Sequence, residues 1–189
     1  TPAAGEPELV DGIKYKTYTS TSPNTTIKVA TDIQLLQSQV GVTTGATTGN
    51  QNEYFVGTAG NDSISAGTGN DILRAGTGND TLNGGDGVNT ADFSDAQAPV
   101  TVDLSTTPGT AVSPNTGTAP NVLTGTGSDT LTNIQNITGG LGSDSMVGSS
   151  VANVLAGGDG NDTIDGGSGN DTLLGGTGMD SLIGGIGTD

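Results

Sequence analysis

Aspartate recurs at intervals of nine residues in this sequence, which indicates that a carboxylate is needed at one fixed point of a repeating structure. The chain contains no His and no Cys, which excludes the usual zinc sites, Ser–His and Cys–His nucleophiles and disulfide bonds. Oxygen donors without nitrogen or sulfur ligands are those that hard cations prefer. The residue types therefore favour cation binding, and we expect no enzymatic activity. The aspartates in this phase are Asp62, Asp71, Asp80, Asp144, Asp162, Asp171, Asp180 and Asp189.

The charge pattern changes at about residue 56. The 189 residues include 20 acidic and 4 basic ones, a net charge of −16. Residues 56–189 contain fifteen Asp, no Glu and a single cation, Arg74, whereas residues 1–55 mix Lys, Asp and Glu. This balance argues against nucleic-acid binding, which requires clustered Lys and Arg. No apolar run approaches the roughly 18 residues that a membrane-spanning helix needs.

The aspartates belong to a nine-residue repeat. One block starts at Gly57 with GTAGNDSIS, AGTGNDILR, AGTGNDTLN and GGDGVNTAD, and a second starts at Gly139 with GGLGSDSMV. The leading glycine pair and the glycine at position four predict a tight turn with positive φ. The apolar residue two positions after the aspartate predicts a short strand, and such alternation predicts a solenoid with two units in each coil. The apolar residues are Ile64, Leu73, Leu82, Met146, Leu155, Ile164, Leu173 and Leu182.

Such a coil buries only two large apolar side chains, so burial alone does not offset the entropy lost on ordering it. Units two apart share an edge, so their aspartates stack and repel unless a cation lies between them. Two carboxylates with several turn carbonyls suit Ca²⁺ better than Mg²⁺, and metal binding then supplies folding free energy. The predicted stacks are Asp62 with Asp80, Asp144 with Asp162 and Asp180, and Asp171 with Asp189.

The units resemble the GGxGxDxUx nonapeptide of the RTX (repeats-in-toxin) proteins over roughly residues 57–93 and 122–189. The resemblance implies an all-β fold, a right-handed parallel β-roll, to which residues 1–52 would add a small N-terminal cap. It also implies calcium-driven folding outside the cell, after type I secretion by a Gram-negative bacterium. In each site, one turn gives the carbonyls of its second and fourth residues and its Asp. The next turn on that edge gives its first and third carbonyls and its Asp.

Carried onto this sequence, the resemblance implies four calcium sites. The first comprises Thr58, Gly60 and Asp62 with Ala75, Thr77 and Asp80. The second comprises Gly140, Gly142 and Asp144 with Gly157, Asp159 and Asp162. The third comprises Gly158, Gly160 and Asp162 with Gly175, Thr177 and Asp180. The fourth comprises Gly167, Gly169 and Asp171 with Gly184, Ile186 and Asp189.

Two units depart from the pattern, because Asn replaces Asp at position six. A site of Gly67, Gly69 and Asp71 under Asn89 loses one charge and should be weaker. The site between Asn153 and Asp171 is in doubt, because its lower turn has also lost most glycines. The side chains at the variable positions, Asp86, Asp159 and Asp165, are expected to face solvent.

Residues 94–121 interrupt the period and contain four prolines. They predict an excursion looped out of one continuous solenoid, although the alternation in Val100–Leu104 predicts a half-buried strand. The repeat pattern resumes at Gly125-Thr-Gly-Ser-Asp129. We therefore expect the roll to span residues 53–189.

Residues 1–52 predict a separate N-terminal segment. Alternation in Ile13–Thr17 and Ile27–Val29 predicts a hairpin. Thr31 and Asp32 would cap a short helix ending at Gly41, and residues 41–52 have the composition of a linker. The segment would cap the first coil, whose edge is otherwise open to pairing; a partner-binding element is the alternative.

Three functional classes fit a calcium-binding roll. The first is a structural cell-surface protein, such as part of a surface layer or an adhesin, associating with itself or with cell-surface polysaccharide. The second is the carboxy-terminal export and folding module of a secreted enzyme whose catalytic domain lies elsewhere. An ice-binding face is disfavoured, because variable turn positions such as Thr68 and Asp86 form no regular Thr rank. We favour the first class. Because the sequence stops within a repeat at Asp189, we expect either an arbitrarily chosen end point or a longer parent protein.

Overall fold

The structure, a computed structural model, describes residues 8–10, 13–19, 26–30, 43–44, 52–113 and 127–189. Within these ranges the regular elements are all strands. The strands are β1 (Glu8–Val10), β2 (Ile13–Thr19), β3 (Thr26–Ala30), β4 (Thr43–Thr44), β5 (Tyr54–Val56), β6 (Ser63–Ser65), β7 (Ile72–Arg74), β8 (Thr81–Asn83), β9 (Thr90–Asp92), β10 (Thr101–Asp103), β11 (Gly109–Ser113), β12 (Gly127–Thr132), β13 (Asn136–Thr138), β14 (Ser145–Val147), β15 (Val154–Asp159), β16 (Thr163–Asp165), β17 (Thr172–Thr177) and β18 (Ser181–Ile183).

Near the N-terminus, β1, β2 and β3 form an antiparallel sheet. β2 and β3 include the two segments predicted to form a hairpin and pair with each other. The helix predicted after Thr31 lies outside the described residues. Within the predicted linker, β4 pairs in parallel with β6.

The repeats wind into a parallel solenoid of about six turns, as predicted. Successive units contribute strands alternately to a nine-stranded sheet and a six-stranded sheet. Their orders are β18-β16-β14-β10-β11-β12-β8-β6-β4 and β17-β15-β13-β9-β7-β5. Residues eighteen positions apart are therefore neighbours, as Ile64 and Leu82 are in the first block and Ile164 and Leu182 in the second.

The core is a thin layer between the two sheets, to which most repeats contribute one apolar side chain. Ile64, Leu73 and Leu82 are at most 2 % exposed. The last coil departs from the prediction: Leu173 is only partly buried and Leu182 is 46 % exposed. The reason is that β17 and β18 are the outermost strands of their sheets, and no described coil packs on their outer side.

The interruption after residue 93 is not simply looped out. The predicted strand at Val100–Leu104 is present as β10, which pairs in parallel with β14 and antiparallel with β11. β11 pairs antiparallel with β12, so both strands lie inside the nine-stranded sheet. The segment is retained in the sheet because it is apolar on one face, with Val100, Val102 and Ala111 fully buried.

The glycines of the repeat serve two different purposes. Gly158, at the second position of its unit, has φ 106°, as the sequence predicted for the turn. Gly57, at the first position, lies outside the positive-φ region, so the prediction was wrong for it. A Cβ there would lie 2.7 Å from Oδ2 of Asp62 and closer still to the carbonyl of Ala75. The first glycine therefore keeps the space beside the carboxylate open.

Candidate metal centre

The turns between strands stack along two edges of the solenoid. The first edge, defined here by the turns that enter the nine-stranded sheet, carries Asp62, Asp80, Asp129, Asp144, Asp162 and Asp180. The second edge, defined by the turns that enter the six-stranded sheet, carries Asp71, Asn89, Asn153, Asp171 and Asp189. Most of these side chains are buried although they are polar or charged. Burial of so many carboxylates requires compensation.

One oxygen of most stacked carboxylates takes part in a ladder that joins successive turns. Asp80 Oδ1 accepts a hydrogen bond from the backbone N–H of Asp62 at 2.7 Å. The same bond joins Asp171 N–H to Asp189 Oδ1 at 2.9 Å on the second edge. Because the donor amide in these two bonds lies eighteen residues earlier in the chain, each bond holds one turn in register with the next.

The other oxygen often has no partner. Among the described residues, five Oδ2 atoms are buried without a hydrogen-bond donor: those of Asp71, Asp80, Asp129, Asp162 and Asp171. An unpartnered anionic oxygen in the interior is costly. A cation beside it removes the cost, so the side chains fit a metal ion.

Backbone carbonyls add further oxygen donors between the turns. The carbonyl of Gly60 points towards the next turn, where a Cβ on Gly78 would lie 2.6 Å from it. The carbonyl of Thr58 accepts the N–H of Thr77 at 3.0 Å and keeps a second lone pair for another partner. Within the described ranges no three acidic, His or Cys side chains converge. A cation here would therefore rely on two carboxylates together with carbonyls.

The structure brings together the two turns of every predicted site. Asp62 lies under Asp80 in the first set. In the second set, Asp144 N–H donates to Asp162 Oδ1 at 2.8 Å, and Asp162 N–H donates to Asp180 Oδ1 at 3.0 Å in the third. In the fourth set, Ile186 N–H donates to the Gly167 carbonyl at 2.9 Å. The assignment of each atom as a calcium ligand stays a prediction.

Four carboxylates of the first edge resist ionisation when no cation is beside them. Burial, with the nearby charge of Asp80 adding to it, raises the pKa of Asp129 to about 7. Burial, with the charge of Asp62, raises the pKa of Asp80 to about 6. Burial also raises the pKa of Asp144 and Asp162. A divalent cation favours the ionised form and reverses this effect.

A comparison with protein families identifies the repeat. The family of the RTX calcium-binding nonapeptide repeat matches four times, at residues 47–82, 56–91, 138–173 and 165–189. These matches together cover just over half of the chain. The chain belongs to this family. Its nonapeptides are RTX calcium-binding repeats, and the solenoid is an RTX β-roll.

Beyond the family match, no curated protein shows significant similarity to this RTX chain. In the part of the roll and N-terminal segment that the structure describes, no helix is long and apolar enough to cross a membrane.

On the second edge of the RTX roll, amides replace the central carboxylates. Asn89 is fully buried, and its Nδ2 donates to the carbonyl of Asn133 at 3.0 Å. Asn153 Nδ2 donates to the carbonyl of Gln135 at 2.6 Å. At these turns the side-chain amide N–H of Asn donates to a backbone carbonyl. A cation would otherwise be the positively charged partner of such a carbonyl. The weaker site at Asn89 and the doubtful site at Asn153 stay predictions.

A second ladder, which the sequence reasoning missed, runs along the outside of the RTX turns. Asn61 Oδ1 accepts the backbone N–H of Asn79 at 2.9 Å, and Asn161 Oδ1 accepts that of Met179 at 2.8 Å. In these bonds the donor amide lies in the later coil, whereas in the aspartate bonds it lies in the earlier coil. The available signal was the Asn that precedes Asp in many units. Its carbonyl oxygen holds turns in register without a metal.

Proposed function

We propose that this chain is an extracellular RTX β-roll whose folding is driven by Ca²⁺ and that it is a structural part, surface-layer or adhesive, of a secreted bacterial protein. Calcium-driven folding is supported by the buried, unpartnered Oδ2 atoms on stacked turns. Surplus negative charge inside a thin core opposes folding until a cation is bound.

The roles of the chain's own residues follow from the two oxygens of each carboxylate. Oδ1 of Asp162 remains bonded to the N–H of Asp144, which fixes the orientation of the side chain. Oδ2 of Asp162 and the carbonyls of Gly158 and Gly160 would then face the ion. The bound ion supplies the positive charge that neutralises the stacked aspartates. Binding thus joins neighbouring coils.

The structural role is supported by composition. The roll has a single basic residue and neither His nor Cys, and its residues are chiefly Gly, Thr, Asn and Asp, so we propose no enzymatic activity. Self-association or binding to cell-surface polysaccharide would be the partner interaction. The alternative is an export and folding module of a type I secreted enzyme, for which the calcium-driven folding alone would suffice.

Calcium titration followed by circular dichroism tests the folding proposal. In chelator the chain should lack most of its β-signal and should gain it as calcium is added, whereas magnesium at the same concentration should have a much smaller effect. A spectrum that does not change between chelator and saturating calcium would contradict the proposal.

Electron microscopy of the calcium-loaded protein distinguishes the two roles. Ordered two-dimensional sheets or filaments are expected for a structural surface protein. Monomers that persist at high protein and calcium concentration would favour the export module instead.

A further inference from the structure

We propose that Asp80 and Asp129 form an additional Ca²⁺ site that joins the two repeat blocks across the interruption. The inference rests on the proposed calcium-driven folding and extends it to a residue outside the family matches, which end at residue 91 and resume at 138. The two aspartates are separated by 49 positions in the chain rather than by eighteen. Their proximity therefore depends on the fold.

The register of β8 and β12 is the same as between neighbouring repeats. Leu82 pairs in parallel with Leu131, and Asp80 N–H donates to Asp129 Oδ1 at 3.0 Å. Asn79 Oδ1 accepts the N–H of Ser128 at 3.0 Å, so the outer ladder continues as well. Asp129 thus lies over Asp80 as Asp80 lies over Asp62.

The site has buried, unused acceptors from both turns. Asp80 and Asp129 are each 2 % exposed, and neither Oδ2 atom has a donor among the described residues. The carbonyl of Gly78 points at Gly127, whose φ of 95° allows the close approach. Two inward anionic oxygens and a carbonyl from adjacent turns are the donor set of a hard cation.

The position of this pair gives it a specific role. Beyond β12, the antiparallel strands β11 and β10 intervene before β14. The next aspartate of the edge is Asp144. Its Oδ1 accepts a hydrogen bond from the backbone N–H of Val100 at 2.8 Å instead of from the N–H of another turn aspartate. The stack of the first block therefore ends at Asp129. A cation held there fastens β12 to β8 and, through it, the second block to the first.

Counting bound ions in single variants tests the proposal. Equilibrium dialysis with calcium should give one fewer ion per chain in Asp129→Asn than in the wild type. Asp80→Asn should lose two, because Asp80 also faces Asp62. Asp86→Asn is the matched control, since Asp86 is exposed on a turn of the same block, and it should lose none. Asparagine is compatible with this turn position, because Asn89 and Asn153 occupy it here.

Hydrogen exchange gives a second readout. At calcium concentrations just sufficient to fold the wild type, Asp129→Asn should lose protection in β12 before it does in β16. An unchanged ion count in Asp129→Asn would overturn this site while leaving calcium-driven folding intact. Absence of calcium binding by the wild type would instead overturn the proposed function itself.

Discussion

The backbone N–H of Asp144 donates to Oδ1 of Asp162, eighteen residues later, at 2.8 Å, while Oδ2 of Asp162 is buried without a donor. One carboxylate therefore has two tasks. Its first oxygen holds adjacent coils in register through the backbone. Its second oxygen, buried without a donor, is the predicted anionic ligand of a cation between the turns.

Asp162 should be among the most sensitive positions, because it belongs to two predicted sites. Asp162→Asn should raise the calcium concentration at half-maximal folding on the order of tenfold, since ligand charge strongly affects calcium affinity. Asp86→Asn should leave it nearly unchanged. Circular dichroism during calcium titration measures both, and equal effects of the two substitutions would contradict the assignment.

Asn89→Asp should create a stronger calcium site on the second edge. The substitution removes the Nδ2 donor to the Asn133 carbonyl and places a second carboxylate over Asp71, whose N–H already bonds to residue 89. Calorimetric titration should show about one more ion per chain and a steeper folding transition.

The control for this gain is Asn153→Asp. The turn of Asn153 has Ser149 and Val151 where other repeats have glycines, so no ion should be gained. If Asn89→Asp bound the same number of ions as the wild type, amide replacement would not explain the weaker site.

Arg74 should stabilise the roll independently of calcium. Its Nη2 contacts Asp92 Oδ2 and Ser94 Oγ, both at 2.7 Å. Burial favours a higher pKa of Asp92, but the hydrogen bonds from Ser94 and Arg74 outweigh it and lower that pKa. Arg74→Gln should reduce the free energy of unfolding by about 1.5–3 kcal/mol at saturating calcium.

The number of bound ions should not change in Arg74→Gln. Asp95→Asn is the control, because its carboxylate lies 4.0 Å from Arg74 Nη1 and is 52 % exposed. A loss of less than about 1 kcal/mol is expected there. Thermal or denaturant unfolding measures both variants, and equal losses would argue against the Arg74–Asp92 bond as the cause.

Acidification should partly replace calcium in stabilising the folded state. In the fold, the pKa of Asp129 is about 7 and that of Asp80 about 6, whereas the ordinary value is 3.8. Because the folded pKa values are the higher ones, the folded state binds protons more tightly, and its stability increases as the pH falls through 7 and 6 towards 4. Circular dichroism in chelator should therefore show increasing β-signal between pH 8 and pH 5.

Asp129→Asn should weaken this pH dependence, whereas Asp86→Asn should retain it. A β-signal in chelator that decreases on acidification over the same range would refute the prediction.

The repeating part of the roll was predictable because its causes are local. A nine-residue period places Asp62 and Asp80 on one edge, and Ile64 and Leu82 on one inner face, whatever the rest of the chain does. Positive φ at Gly158 likewise follows from the turn itself. The stacking of the predicted ligands needed no knowledge of distant contacts.

The interruption was less predictable, because its placement depends on pairing between distant segments. Its prolines favoured a looped-out excursion, yet burial of Val100, Val102 and Ala111 retains β10 and β11 in the sheet. Only that packing reveals that 49 residues separate the stacked Asp80 and Asp129.

The sequence alone therefore determined the repeating turn, the single inward side chain of each strand and the membership in a calcium-binding repeat family, since each depends on residue type at short range. The tertiary structure decided how the two blocks join, which carboxylate oxygens have donors, and where amides replace them. These features depend on which turns meet in space. Two turns that stack in the solenoid need not be separated by eighteen residues in the sequence.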